Sequence, residues 1–251
     1  MCIRDSDSTF LVKVASEVLP RDKILAVTAQ SPTYPPSEYQ EALKLVKKMK
    51  VKHLSITTQE LKDNNFVTNP PARCYYCKYE LFTRLKEIAQ QNRIEYVADG
   101  TNLDDIKFDY RPGLRASQEL GICHPLQEAS LTKEDIRALS KYLDLPTWNK
   151  PAAACLASRI PYGEKITSKK LTMIAEAEEF LNKLGFRTLR VRYHGKIARI
   201  EIALEEFKRI IKPQIRNEII GKFKDLGFIY TTLDLQGYRT GSLNEILDLP
   251  N

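Results

Sequence analysis

The pattern that most restricts the fold is an alternation of strand-like and helix-like segments through the first half of the chain. Apolar, β-rich runs predict strands at residues 23–29, 51–56 and 94–98. Apolar residues spaced three and four apart, with polar caps, predict helices at residues 10–18, 37–49, 78–91 and 132–143. Strands that alternate with helices favour a parallel sheet covered on both faces. We therefore expect an α/β domain here.

The pattern changes near residue 145, where two prolines punctuate the segment L-P-T-W-N-K-P. A helix is predicted at residues 167–184, and two alternating strands joined by H-G-K predict a hairpin. Further helical segments and a strand at residues 228–233 follow. We expect two domains, a parallel-sheet domain over residues 1–160 and a smaller α+β domain over residues 161–251.

Composition and charge exclude some classes of protein and leave others open. The chain is 43% hydrophobic and 28% charged, as soluble globular proteins are. No apolar run approaches the roughly 18 to 20 residues of a membrane helix, and the N-terminus lacks a secretory pattern, so we expect a cytoplasmic protein with no membrane partner. The net charge of +7 lies mostly in residues 151–251. It is compatible with nucleic acid, a phosphorylated small molecule or a solubilising surface.

Three polar clusters lie where open parallel sheets bind ligands, beyond the carboxyl ends of the strands. They are D-S-T-F-L from residue 7, T-A-Q-S-P from residue 28 and D-G-T-N-L-D-D from residue 99. Hydroxyl groups at a helix N-terminus form a ready anion site. Each cluster alone is also explained by helix capping, but their joint placement favours a ligand site.

The cysteines form a second constellation. Cys74 and Cys77 stand three apart in R-C-Y-Y-C-K, and Cys155 lies in A-C-L-A-S-R. In the cytoplasm, C-x-x-C more often indicates metal or redox chemistry than a structural disulfide. The residues leave open a zinc site completed by Cys123 or His124, a lone nucleophilic Cys155, or inert core thiols. Cys2 lies outside every motif.

Eight motifs, in order, resemble the LarE family of ATP-dependent sulfur transferases, which belongs to the ATP-pyrophosphatase (PP-loop) superfamily. The resemblance runs from about residue 7 into the second domain and implies a PP-loop, adenine nucleotide alpha hydrolase-like fold for the first. The motifs are D-S-T-F-L, T-A-Q-S-P-T-Y-P-P-S-E, N-P-x-x-R-C-Y-Y-C-K, D-G-T-N-x-D-D, Y-R-P-G-L-x-A, L-T-K-x-x-I-R, K-P-A-x-A-C-L-A-S-R and R-V-R-x-H-G-x-x-A-R-I-E.

The resemblance implies a reaction on a pyridinium mononucleotide that bears two carboxylates. ATP, with Mg²⁺, would adenylate a carboxylate and release pyrophosphate, and a sulfur nucleophile would then displace AMP to leave a thiocarboxylate. The product would feed assembly of the nickel-pincer nucleotide cofactor of lactate racemase. The implied partners are this small molecule, other nickel-pincer biosynthesis proteins and further copies of the chain in a homo-oligomer. By the same resemblance, ATP would contact Asp7, Ser8, Thr28, Ala29, Asp99 and Gly100.

The family differs in its source of sulfur, because some members sacrifice a cysteine and others hold a 4Fe–4S cluster on three cysteines. We expect the cluster here, on Cys74, Cys77 and Cys155, with an open iron that could carry the attacking sulfide. The expected catalytic residues are Cys155 and Arg159.

Arg190 and Arg192 share the polar face of a predicted strand and could bind the substrate's phosphate. The resemblance places Glu179 and Glu201 near substrate or a divalent ion, whereas an ordinary solvated sheet face is the alternative.

The N-terminus departs from the family's pattern, which is S-G-G-x-D-S after a strand. Here the same register reads I-R-D-S-D-S, so Arg4 and Asp5 replace the two glycines. Asp5 would put a negative charge where phosphate should bind. We expect M-C-I-R-D-S to be non-native, the first strand to be missing and ATP binding to be poor.

Two further functions stay open. A tRNA-thiolating ATP pyrophosphatase would share the cysteines and the basic surface, and would bind RNA with a steep salt dependence. A non-catalytic metal- or nucleotide-binding protein is favoured by the altered loop. The motif R-V-R-x-H-G-x-x-A-R-I-E favours the small molecule over nucleic acid.

Overall fold

The computed structural model describes residues 5–106, 111–150 and 154–247, and the chain divides into two compact units. The first lies within residues 1–66 and 71–153, and the second within residues 67–70 and 154–251. The domain boundary near residue 160 stays a prediction. Positions 3 and 4 of the altered loop, Cys2 and residues 151–153 of the K-P-A-x-A-C motif lie outside the described residues. Within the described ranges, no helix has the length and apolar character that a membrane crossing requires.

Helices alternate with two parallel strands along the first part of the chain. β1 and β2 pair in parallel with Leu25 opposite Lys52, which confirms the first two predicted strands. The elements are α1 (Ser6–Val18), β1 (Leu25–Gln30), α2 (Pro36–Met49), β2 (Lys52–Thr57), α3 (Asn64–Val67), α4 (Arg73–Gln91), α5 (Pro112–Glu119), α6 (Pro125–Glu128) and α7 (Lys133–Tyr142). The predicted cap at Thr132 is present, because its hydroxyl accepts from the Asp135 amide at 3.1 Å.

The strand predicted at residues 94–98 is wrong among the described residues. Only a single bridge forms there, between Ala98 and Cys123, in which the Cys123 amide donates to the Val97 carbonyl at 2.8 Å. An inner parallel strand needs cover on both faces. Tyr96, in the middle of the run, is 67% exposed, so the face of the run that carries this side chain is largely uncovered.

The strand β1 is covered on both faces, as the alternating pattern predicts. Ala26 packs with Val12 of α1 and Val46 of α2, whereas the next residue, Val27, packs with Phe82 of α4. Because successive side chains of a strand point to opposite faces, these contacts belong to two separate layers. Helices therefore cover both faces of β1, and polar loop residues follow its carboxyl end.

The second unit is α+β. β3 and β4 form the predicted antiparallel hairpin, with Leu189 opposite Ile202, and β5 adds in parallel to β4. The core is formed by fully buried side chains that include Leu181, Val191 and Phe223. The elements are a 3-10 turn (Leu156–Arg159), α8 (Ser168–Lys183), β3 (Leu189–His194), β4 (Ile197–Ile202), α9 (Phe207–Ile210), α10 (Pro213–Asp225), β5 (Tyr230–Leu233) and a 3-10 turn (Ser242–Ile246).

Candidate active site

The first turn of α1 contains Asp7, which is buried in a polar network. Its carboxylate accepts hydrogen bonds from Lys133 Nζ at 2.5 Å, Ser6 Oγ at 3.0 Å and Asn102 Nδ2 at 3.0 Å. Burial, followed by the charge of Asp5, raises the pKa of the Asp7 carboxyl against the opposing effect of Lys133. The D-S-T and D-G-T-N motifs, far apart in sequence, therefore meet at this helix end.

Asp5 occupies the N-terminus of α1 with its own carboxylate. Asp5 Oδ1 accepts from the Ser8 amide at 2.9 Å, and the Asp5 amide donates to Ser8 Oγ at 3.2 Å, which closes a capping box. The exposed amides and the dipole of a helix N-terminus attract an anion. In this chain the carboxylate of Asp5 is that anion.

The D-G-T-N loop lies directly against this turn. A Cβ added at Gly100 would meet the Ser8 amide nitrogen at 2.8 Å, so only glycine allows the approach. The preceding Asp99 carboxylate accepts from Lys78 Nζ at 3.1 Å, His124 Nδ1 at 2.7 Å and the Thr101 amide at 3.0 Å. Burial alone would raise the pKa of Asp99, but the His124 hydrogen bond and the Lys78 charge outweigh it and hold that pKa well below its usual range.

Thr28 and Ala29 are buried in the carboxyl half of β1. The Thr28 hydroxyl contacts His53 Nε2 of β2 at 3.0 Å, and burial lowers the pKa of His53. Of the six predicted ATP-binding residues, the structure brings Asp7, Ser8 and Gly100 into one junction. The Thr28 side chain is engaged with its neighbouring strand instead.

Cys74 and Cys77 lie in the first turns of α4, which begins five residues earlier than the predicted start at Lys78. Residues three apart on a helix share a face, and Cys74 is exposed whereas Cys77 is half-buried. Cys155 belongs to the second unit. Across the described residues, no group of three or more Cys, His, Asp or Glu side chains is arranged to hold a metal ion. The structure therefore gives no support to the predicted 4Fe–4S cluster or to the zinc alternative.

Cys155 is held through its backbone by the turn that follows it. Its carbonyl accepts from the Ser158 amide at 2.9 Å, Ser158 Oγ at 2.7 Å and Arg159 Nη1 at 3.0 Å. Arg159 Nη1 also donates to the Ala154 carbonyl at 2.9 Å. These bonds give Arg159 a structural task in orienting the cysteine, and its predicted catalytic role stays a prediction.

Glu178 holds Arg159 in turn and is the residue that sequence reasoning missed. Arg159 Nε and Nη2 donate to its two carboxylate oxygens at 2.9 and 3.0 Å, and the Val191 amide donates to it at 3.0 Å. Helical spacing could have found it, because position 178 lies on the buried face with Ile174 and Leu181. The predicted residue, Glu179, points outward and pairs with Lys183 at 2.7 Å.

Arg192 and Glu201 form a second buried pair. Arg192 Nε and Nη2 each lie 2.9 Å from a Glu201 carboxylate oxygen, and Nη1 donates to the Ser158 carbonyl at 2.7 Å. Nη2 also donates to Ser242 Oγ at 2.7 Å. The two side chains lie on the same face of the hairpin, and the guanidinium fork of Arg192 is bound bidentately by Glu201. Arg199 Nη2 adds a further bond to Glu201 at 3.0 Å.

Arg190 lies on the same face of β3, and its guanidinium carbon lies 5.1 Å from the centre of the Tyr238 ring. Burial, followed by the positive charge of Arg159, lowers the pKa of Arg190. A cavity of about 120 Å³ is lined by Arg159, Arg192, His194 and Arg199, together with Pro161 and residues of the Ser242–Ile246 turn. We call it the arginine cavity; Arg199, whose side chain is 35% exposed, is the arginine of this lining that meets solvent most, although Glu201 and Asp234 pair with it.

Comparisons with known proteins place the chain among curated relatives of similar length, although no family model matches it. The uncharacterized protein slr1717 of Synechocystis sp. is 41% identical over 241 residues, which cover 96% of this chain and 89% of that protein. The pyridinium-3,5-bisthiocarboxylic acid mononucleotide synthase of Lactiplantibacillus plantarum is 39% identical over 242 residues, or 96% of this chain and 86% of the synthase. Among solved structures, the NH3-dependent NAD synthetase from Campylobacter jejuni is 15% identical with a TM-score of 0.47, over 88% of this chain and 81% of that one.

Proposed function

Because the chain belongs to the family of pyridinium-3,5-bisthiocarboxylic acid mononucleotide synthases, the LarE family, we propose that it is an ATP-dependent sulfur transferase. Its substrate is a pyridinium biscarboxylic acid mononucleotide, whose carboxylates become thiocarboxylates. The observation that carries this proposal is the 39% identity to the synthase across 96% of this chain. The product then enters assembly of the nickel-pincer nucleotide in the cytoplasm, where homo-oligomers of the chain and the other proteins of that pathway are its partners.

The first step activates a carboxylate, which is a poor electrophile until it carries a leaving group. The carboxylate attacks the α-phosphorus of ATP, pyrophosphate leaves, and an acyl-adenylate remains. Mg²⁺, when bound, would neutralise charge on the phosphates. The junction of Asp7, Ser8 and Gly100 supports this assignment, because Gly100 lets the D-G-T-N loop lie directly against the first turn of α1, and a helix N-terminus is a place where phosphates bind.

The second step transfers sulfur, and we assign the sulfur atom to Cys155. Its thiolate attacks the acyl carbon, the bond to AMP breaks, and a thioester forms. Loss of the cysteine's α-proton then breaks its Cβ–S bond and leaves a thiocarboxylate and dehydroalanine. The carbonyl bonds from Ser158 and Arg159 support this role, since they orient a half-buried cysteine and tie it to Arg159, which lines the arginine cavity.

The arginine cavity is proposed to receive the phosphate of the mononucleotide. Arg199 of β4 supplies a partly exposed cationic group at its wall, and Arg190 lies on the polar face of the neighbouring strand β3. Burial, followed by the charge of Arg199, lowers the pKa of His194, so its ring offers a hydrogen bond rather than a charge. Arg192 lines the cavity but is not assigned as a phosphate ligand, because Glu201 neutralises its charge. Bidentate binding of phosphate by arginine requires a fork that is not already engaged.

The test is product formation with the mononucleotide, MgATP and the full chain, followed by mass spectrometry of both product and protein. We expect thiocarboxylate, pyrophosphate and a protein lighter by one hydrogen sulfide. Cys155→Ala should release pyrophosphate but form no thiocarboxylate, whereas the control Cys123→Ala, also a half-buried cysteine, should retain activity. Thiocarboxylate from Cys155→Ala would refute the sulfur assignment, and no pyrophosphate from any variant would refute the enzyme.

One observation favours a second candidate, a nucleotide-binding protein without catalysis. The carboxylate of Asp5 fills the anion position at α1 and would repel a triphosphate. Restoring S-G-G at residues 3–5 should increase substrate-dependent pyrophosphate release if the enzyme assignment is correct. Absence of pyrophosphate both before and after that change would favour the second candidate.

A further inference from the structure

Glu60 is a buried carboxylate that forms no ion pair in the described part of the chain. It lies just beyond the carboxyl end of β2, and it is 1% exposed. Its Oε1 accepts hydrogen bonds from Ser31 Oγ and from Thr33 Oγ1, the latter at 3.4 Å. Its Oε2 is buried and accepts no hydrogen bond from the described residues. Hydroxyl groups do not neutralise a carboxylate, and a buried charge without compensation is costly.

Glu80 of α4 brings a second carboxylate to the same turn. Its Oε1 accepts from the amide of Gln59, the residue before Glu60, at 3.4 Å. Its Oε2 is also buried without a hydrogen-bond partner among the described residues. Burial, opposed by the Gln59 hydrogen bond and assisted by the charge of Glu60, raises the pKa of Glu80. The two carboxylates are therefore electrostatic neighbours.

The ion pair that Glu80 forms leaves both Oε2 atoms unsatisfied. Arg84 Nη1 lies 3.9 Å from Glu80 Oε1, and it donates to the Thr57 carbonyl at 2.6 Å. Its contact with Glu80 is too long for a hydrogen bond and is made to the other oxygen. Two carboxylates beside one loosely paired guanidinium leave a net negative charge, which favours a bound cation.

We propose that Glu60 and Glu80 bind a hard divalent cation of the Mg²⁺ class through their Oε2 atoms. Carboxylate oxygens suit such ions, and Mg²⁺ usually keeps several waters and binds through one or two carboxylates. The Glu80 side chain is 26% exposed, so water can complete the coordination. A site of this kind differs from a group of three or more protein ligands, which the described residues lack.

The cation connects the loop after β1 to the helix that carries Cys74 and Cys77. Glu60 holds Ser31 and Thr33 of that loop, whereas Glu80 stands three residues after Cys77 on α4. An ion that binds the folded chain and not the unfolded one stabilises the fold. The inference goes beyond the proposed function, because it needs neither nucleotide nor sulfur transfer.

The test is calorimetric titration of MgCl₂ into the metal-free full chain without nucleotide. Glu60→Gln and Glu80→Gln should each weaken Mg²⁺ binding about tenfold or more, because each removes a charged ligand and keeps the shape of the side chain. Glu87→Gln, at an exposed position on the same helix, is the matched control and should retain the affinity. Equal affinities of all three variants would overturn the proposal.

Thermal unfolding followed by circular dichroism gives a second readout. Without Mg²⁺, Glu60→Gln should unfold at a higher temperature than the unsubstituted chain, because it removes an uncompensated buried charge and keeps an oxygen for Ser31 and Thr33. Mg²⁺ should raise the Tm of the unsubstituted chain and of Glu87→Gln, but not that of Glu60→Gln or Glu80→Gln. An unsubstituted chain whose Tm does not rise with Mg²⁺ would also overturn the proposal. Neither measurement uses sulfur transfer, so a failure of the proposed function would leave both results intact.

Discussion

Glu178 and Glu179 are neighbours in sequence with opposite environments. Glu178 faces the core and binds the Arg159 guanidinium through both oxygens, whereas Glu179 is 63% exposed and pairs with Lys183. A buried pair is kept because removal of one member leaves the other charge uncompensated. A difference of one position along α8 therefore separates a glutamate that supports the Cys155 turn through Arg159 from a glutamate in an ordinary surface ion pair.

Glu178→Gln should therefore lower the free energy of unfolding by about 3–5 kcal/mol, because the Arg159 charge stays buried without its partner. The matched change Glu179→Gln should alter it by less than about 0.5 kcal/mol, as exposed pairs do. Urea denaturation followed by circular dichroism measures both. Equal effects of the two substitutions would contradict the assignment of Glu178 as the holder of Arg159.

The helix α1 shows what an element's terminus decides. Its first turn offers backbone amides to an anion, and in this chain Asp5 supplies that anion. A carboxylate at a helix N-terminus stabilises the helix by about 0.3–1 kcal/mol, and a phosphate that binds at this end must displace that carboxylate. The capping that orders α1 therefore competes with the nucleotide binding expected of the family.

Asp5→Gly should tighten binding of MgATP several-fold, because glycine removes the competing carboxylate. It should cost only a few tenths of a kcal/mol in stability, since glycine is a tolerated N-cap. Asp22→Gly, at an exposed position, is the control that changes the net charge equally. Fluorescence titration with a labelled ATP analogue measures the affinities. The same gain in both variants would mean that net charge, and not the helix end, governs binding.

At the scale of the whole molecule, the surplus of positive charge is less available than the composition indicates. In the second unit, many basic side chains are paired with carboxylates. Such pairs include Arg159 with Glu178, Arg192 with Glu201, Arg209 with Glu206 and Arg239 with Glu245. A nucleic-acid site needs unpaired cations that can neutralise phosphates along a backbone.

We therefore expect transfer RNA to bind the chain weakly, with a dissociation constant no tighter than the 10⁻⁴–10⁻⁶ M typical of non-specific binding at physiological salt. The slope of log affinity against log salt should be shallow, because few phosphates are neutralised. Fluorescence anisotropy with labelled transfer RNA measures both quantities. Tight binding with a steep slope would instead favour the tRNA-thiolating alternative.

The sequence by itself determined the elements whose signals are local. Periodicity predicted β1, β2 and the helices around them, the H-G-K turn predicted the β3–β4 hairpin, and the spacing of Thr132 and Asp135 predicted a capping box. The motifs, which are read residue by residue, also indicated the family that the curated relatives show.

Only the tertiary structure decided which charges are available. Arg192 was predicted to bind the substrate's phosphate, and in the structure its guanidinium is paired with Glu201 across the hairpin. Asp99 was predicted to contact ATP, and its carboxylate is bound by Lys78 and His124. The third strand failed for the same kind of reason, because Tyr96 lacks cover that only distant elements could give. Burial and ion pairing depend on groups remote in sequence, and a buried charge must be compensated wherever the fold supplies a partner.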